Sequence, residues 1–135
     1  MNTPLSALRG KSVLIVDDSP EMTALLDDVL TASGARVVVA QDGRSAMQLI
    51  MDRHFDLVVL DVVMPQPDGL AVLRFMQEQC PCLVRQTILL TGAVHHSAIR
   101  CLEDLDVCLL LKPFDLRHLR GAACERALGP TRPAA

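Results

Sequence analysis

Three carboxylates, a hydroxyl and an ammonium stand at comparable places along this chain, each just after a short apolar run. Val13-Leu14-Ile15-Val16 ends in Asp17-Asp18, and Leu57-Val58-Val59-Leu60 ends in Asp61. Ile88-Leu89-Leu90 ends in Thr91-Gly92, and Val107-Cys108-Leu109-Leu110-Leu111 ends in Lys112-Pro113. Brought together, these groups define a chemistry. Three carboxylates within a few ångströms require a cation or raised pKa values. A hard divalent ion answers that need, and Mg²⁺ takes one or two carboxylates, several waters and a phosphate oxygen. Lys112 adds a point charge suited to a phosphoryl oxygen, and Thr91 a hydroxyl donor. A carboxylate beside such an ion and a lysine is a nucleophile toward phosphorus, and the product is an aspartyl phosphate. The ion and the ammonium would stabilise charge on the phosphoryl oxygens in flight.

The elements that must position these groups follow from pattern. Short, Val-rich apolar runs without a polar break read as strands buried on both faces of a parallel sheet. Strands are expected over Lys11–Val16, Arg36–Ala40, Leu57–Leu60, Thr87–Leu90 and Val107–Leu111. Between them lie helical patterns. Ser19-Pro20-Glu21 is a cap, a first-turn proline and a first-turn acid. Met22, Leu25, Leu26, Val29 and Leu30 then recur at helical spacing until Gly34. Ala46, Leu49 and Ile50 mark a second helix after the Asp42-Gly43 turn, ending near Arg53. Leu70, Leu73 and Met76 mark a third, which Cys80-Pro81-Cys82 breaks. A fourth is expected over about 94–103, and Leu116, Leu119, Ala123 and Ala127 mark a fifth. Five strands alternating with five helices predict an α/β fold, a doubly wound parallel sheet with right-handed crossovers. In open sheets of this kind ligands sit at the carboxyl ends of the strands. If the strands are neighbours, the five chemical groups meet there.

Composition narrows the function classes. A chain of 135 residues is one domain, here divided into a loose lead-in at 1–10, a folded domain at 11–128 and a flexible tail or linker stub at 129–135. Half of the residues are hydrophobic and the mean hydropathy is +0.32, as suits a sheet covered on both faces. The net charge is −3 and no basic cluster is present, which argues against a phosphate-backbone partner. Three Phe with no Trp or Tyr leave little for base stacking. No run reaches the length of a membrane span, and Met1–Gly10 is not a signal peptide. A cytoplasmic location is expected, with the five Cys as free thiols. Cys80 and Cys82 lack finger-like partners for zinc, and buried thiols are expected at Cys101, Cys108 and Cys124. His95-His96 reads as a solvated helix start, since adjacent residues do not share a helix face.

The motifs Val-Leu-Ile-Val-Asp-Asp-Ser-Pro at 13–20, Leu-Asp-Val-Val-Met-Pro-Gln-Pro-Asp-Gly-Leu at 60–70, Leu-Leu-Thr-Gly at 89–92 and Leu-Leu-Lys-Pro-Phe at 110–114 occur in this order. In them the chain resembles the receiver domain of two-component response regulators. The resemblance spans about residues 11–127. It implies the flavodoxin-like strand order 2-1-3-4-5 and a cis Lys112-Pro113 bond. It implies that Asp61 accepts the phosphoryl group, with Thr91 and Lys112 contacting it. Asp17, Asp18, Asp61 and the backbone carbonyl of Val63 would hold Mg²⁺, with Mn²⁺ as a substitute. The implied donor is a phosphohistidine on a sensor histidine kinase or a phosphotransfer protein. The output would be read by a downstream protein or a second copy at the face of the fourth helix, fifth strand and fifth helix. The expected product is a phosphorylation-dependent signalling switch that catalyses only its own phosphotransfer and dephosphorylation, not a conventional enzyme.

The chain departs from the family pattern in three places. Leu109 stands where the family carries an aromatic three residues before the lysine. Gly92 follows Thr91, where alanine is common. Val63 and Ala93, two beyond Asp61 and Thr91, replace common polar residues. Rival readings are a receiver fragment of a larger regulator or hybrid kinase, and an Asp-nucleophile phosphohydrolase, which typically has a second acid where Val63 stands. A flavin carrier on a similar fold is a third, disfavoured by the acidic site and the lack of a stacking aromatic.

Overall fold

A computed structural model describes residues 6–92 and 105–128. In chain order the elements are β1 (Ser12–Val16), α1 (Pro20–Ala32), β2 (Arg36–Ala40), α2 (Gly43–Asp52), β3 (Leu57–Asp61), α3 (Gly69–Gln79), a one-turn α4 (Pro81–Val84), β4 (Thr87–Thr91), β5 (Cys108–Leu111) and α5 (Leu116–Leu128). The five strands form one sheet in the order β2-β1-β3-β4-β5, and every pair is parallel. This is the flavodoxin-like order expected from the sequence, with β3 at the centre. The fourth helix expected over 94–103, Ala93, His95-His96, Cys101 and the tail at 129–135 lie outside the described residues.

Side chains alternate across a strand, so a strand buried on both faces feeds two cores. Leu14, Val16, Val58, Leu60 and Leu89 join one core with Ala46, Ile50, Val72, Leu73 and Met76 of α2 and α3. Val13, Ile15, Leu57, Val59, Ile88 and Leu90 join the other with Leu26 and Leu30 of α1 and Leu119, Ala123 and Ala127 of α5. The unbroken apolar run at 57–60 is therefore two interleaved faces read as one string. Each such burial contributes about 1.5–3 kcal/mol. A one-residue slip of β3 would turn every side chain of the strand, Asp61 at its paired end included, to the opposite face, so the hydrophobic run sets where that carboxylate emerges.

The helix starts are locally encoded. Ser19 Oγ accepts the Met22 N–H at 3.3 Å, Asp42 Oδ1 accepts the Ser45 N–H at 2.7 Å, and Asp68 Oδ1 accepts the Ala71 N–H at 3.0 Å. Asp42, read from sequence only as a turn residue, and Asp68 are N-caps. The break at Cys80-Pro81-Cys82 does not open a loop. Pro81 begins α4, whose Leu83 and Val84 enter the core, because proline suits the first position of a helix.

The lead-in differs from the loose segment expected. Leu8 is fully buried in the α1–α5 core, and its N–H donates to Ser33 O at 2.9 Å. Gly34 takes φ +98°, and a Cβ there would lie 2.9 Å from the Arg9 backbone. Glycine thus both ends α1 and admits the incoming chain.

At the opposite end of α5, Arg126 Nη1 donates to Arg85 O at 3.1 Å, to Asp106 O at 3.1 Å and to Asp106 Oδ1 at 3.0 Å. One side chain thereby ties α5 to the segments entering β4 and β5. Arg126→Ala is expected to lower stability by about 1 kcal/mol, the scale of a partly exposed charged hydrogen-bond set. Urea unfolding reads this as a lower midpoint at an unchanged m-value.

Candidate functional site

Backbone pairing continues past the ends of three strands and carries the chemical groups with it. The Asp17 N–H donates to Ala40 O at 3.2 Å, the Val62 N–H to Leu90 O at 3.0 Å and the Lys112 N–H to Thr91 O at 2.7 Å. Asp61 and Thr91 are the last residues of β3 and β4. The Lys112-Pro113 bond is cis, as is Gln66-Pro67. Five residues distant in sequence are thereby held at one edge of the sheet.

Asp17, Asp61 and Thr91 are buried, Lys112 is half-buried and Asp18 is exposed. Carboxylate oxygens of Asp17, Asp18 and Asp61 all lie within 4.8 Å of one another. Lys112 Nζ donates to Asp61 Oδ1 at 2.9 Å. Asp17 Oδ1 accepts the Ser19 N–H at 2.9 Å, while Asp17 Oδ2 is buried with no hydrogen-bond partner among the described residues. Thr91 Oγ1 donates to Gly92 O at 3.2 Å. The sequence-predicted side chains Asp17, Asp18, Asp61 and Lys112 thus gather at one place, and Thr91 ends the strand beside Asp61.

Burial pushes the Asp17 carboxyl above its ordinary pKa, and the neighbouring charges of Asp61 and Asp18 push the same way. The Ser19 N–H and the Lys112 ammonium oppose that rise without cancelling it. A carboxyl whose pKa is higher folded than unfolded binds its proton more tightly in the fold, so its ionisation costs stability as pH rises through that window. Asp17→Asn removes this cost. It is expected to stabilise the metal-free protein at neutral pH, seen as a higher melting temperature in a chelator. The role of Ser19 in holding Asp17 was not read from the sequence. The signal was present, because an Asp two residues before a residue with a free N–H commonly accepts from it.

The donor set fits a hard divalent cation. Its ligands are oxygens, its charge is negative, and one buried oxygen meets no hydrogen-bond donor among the described residues. The same set with an adjacent lysine suits a phosphoryl group.

A family model described as the response regulator receiver domain matches residues 13–123. The chain belongs to that family. This receiver is 32% identical over 119 residues to the transcriptional regulatory protein ZraR of Escherichia coli O157:H7, covering 88% of this chain and 26% of that protein. It is 41% identical over 66 residues to CpxR of Escherichia coli K12, covering 49% of this chain and 28% of that protein. The chain thus spans about a quarter of the length of these curated relatives. Among solved structures, it is similar to the signal receiver domain of a signal transduction histidine kinase from Syntrophus aciditrophicus. The TM-score there is 0.80 at 28% identity, covering 93% of this chain and 96% of that one. The Francisella response regulator 1452 receiver domain gives 0.79 at 25% identity, covering 88% and 98%. The domain is a phosphorylation-dependent signalling receiver, and not an enzyme of the conventional kind. Among the described residues no helix is long and apolar enough to cross a membrane.

Proposed function

We propose that the receiver, residues 11–128 with Leu8 of the lead-in docked on its core, takes a phosphoryl group onto Asp61 from a phosphohistidine of a sensor histidine kinase or a histidine phosphotransfer protein. The observation that carries this reading is the pairing of Lys112 with one oxygen of Asp61 beside the unpartnered Asp17 oxygen. Lys112 holds Asp61 Oδ1, which leaves the second carboxylate oxygen to attack phosphorus. The O–P bond forms as the P–N bond of the donor breaks, and the electron pair leaves on the imidazole nitrogen. Mg²⁺ bound by Asp17, Asp18, Asp61 and the Val63 carbonyl would neutralise charge on the transferring group. Lys112 then moves its hydrogen bond toward a phosphoryl oxygen, and the Thr91 hydroxyl, now on Gly92 O, turns to another.

The output is a changed surface read by a protein partner or a second copy at the face built around β5 and α5. Leu109 of β5 packs, half-buried, against the core formed with α2 and α3. It has no ring or hydroxyl, so an aromatic rotamer switch is not the route by which Thr91 reports. The alternative of a receiver within a larger regulator or hybrid kinase is compatible with the coverage of its relatives. Exposure to Mg²⁺ and a small acyl phosphate, followed by intact mass, tests the reaction directly.

A further inference from the structure

The loop between β3 and α3 carries Val63, and its path is set by contacts outside the acidic cluster. Val62 and Met64 are buried in the core with α2 and α3, while Val63 between them is exposed. The Gly69 N–H donates back to Val62 O at 3.1 Å. A Cβ on Gly69 would lie 2.2 Å from Asp61 O and 2.7 Å from Val62 Cα, so the loop closes tightly beneath Asp61. Gln66 bridges the loop to the α3 cap, with Gln66 Nε2 donating to Asp68 Oδ2 at 3.2 Å.

The loop tip rests on a different helix. Gly43, the buried first residue of α2, lies under Pro67. A Cβ there would stand 2.2 Å from Pro67 O, 2.9 Å from Pro67 Cγ and 3.1 Å from Pro67 C. Two of those three atoms are backbone, and the ring is stiff, so the loop itself would have to move. The helix gains nothing from glycine at this position, where alanine would be the better helix former. The need for glycine therefore comes from the loop.

We infer that Gly43 is a positioning residue for the phosphorylation site: it seats Pro67, and through Pro67 fixes the loop that presents the Val63 carbonyl to the cation. This inference rests on the site assignment above. Asp61 is still within the sheet, paired with Leu90 of β4, whereas Val63 lies in the loop beyond the strand end. Disturbing the seat should therefore weaken the cation more than the nucleophile.

The test is Gly43→Ala and, separately, Pro67→Ala, which removes the ring carbon from the seat. Mg²⁺ affinity is measured by calorimetry without any phosphodonor, and the phosphorylation rate by intact mass across Mg²⁺ concentrations. Gly121→Ala is the control, since a Cβ there meets nothing within 4 Å. The expected result is a Mg²⁺ dissociation constant raised by about tenfold in Gly43→Ala, near 1.4 kcal/mol. The rate should recover toward wild type at saturating Mg²⁺, Pro67→Ala should shift affinity in the same direction, and the control should not shift it. A purely structural role would lower the melting temperature and leave the Mg²⁺ affinity of the folded fraction unchanged. Unchanged affinity in both variants, or a rate that stays low at saturation, overturns the inference. A wild type that binds no Mg²⁺, or labelling that survives Asp61→Asn, overturns the site assignment instead.

Discussion

Asp61→Asn is expected to take up no phosphoryl group under conditions where the wild type gains one. An amide nitrogen is a poor nucleophile and its carbonyl oxygen carries no charge, so the attacking group is lost. The shape is kept. Asp61 is buried at the end of the central strand, and an Asn oxygen can still accept from Lys112, which stands 2.9 Å from Oδ1. Removing one of three clustered carboxylates also relieves repulsion, so the metal-free variant should remain folded. The measurement is intact mass after incubation with Mg²⁺ and a small acyl phosphate. The wild-type adduct should be labile in base, as an acyl phosphate is, and absent when a chelator is present. Labelling that persists in Asp61→Asn, or that ignores the chelator, would place the acceptor elsewhere.

The second large effect concerns how long the phosphoryl group stays. Hydrolysis requires a water in line with the bond to the leaving carboxylate, and a polar side chain near that line can hold it there. Val63 follows Asp61 by two residues, is 49% exposed and carries a side chain that offers no hydrogen bond. Ala93, the other position expected to flank the approach, lies outside the described residues. Asp61, Lys112 and the acidic cluster are unaffected by the identity of residue 63, so phosphorylation should proceed while loss is slow. Val63→Asn supplies an amide that can orient the water. It is expected to accelerate loss about tenfold, which is about 1.4 kcal/mol off the barrier. The check is to phosphorylate both proteins, remove the donor and follow the phosphorylated fraction by mass. Rapid loss from the wild type, or equal rates in the two proteins, would show that water placement at this position is not limiting.

Much of this protein was determined by the sequence alone, wherever the responsible physics is local. Apolar runs of four or five residues define buried strands, and Ser19-Pro20-Glu21 starts a helix, because caps and propensities act within one turn. The alternation of strands and helices leaves few topologies, and the observed order β2-β1-β3-β4-β5 is among them. Asp61, Thr91 and Lys112 could be singled out because each ends or follows such a run.

Tertiary structure decided what depends on distance across the chain. Only the folded sheet brings the oxygens of Asp17, Asp18 and Asp61 within 4.8 Å, where burial and the neighbouring carboxylates raise the Asp17 pKa and its Oδ2 meets no partner among the described residues. The docking of Leu8 on Ser33 was invisible because Leu5, Ala7 and Leu8 are too few apolar residues to set a periodicity. The one-turn helix at Pro81–Val84 is too short for a helical pattern to register. The seat of Pro67 on Gly43 joins residues 24 positions apart. In sequence, Asp42-Gly43 reads as a turn, since a glycine required by a neighbour's backbone looks the same as one required by its own.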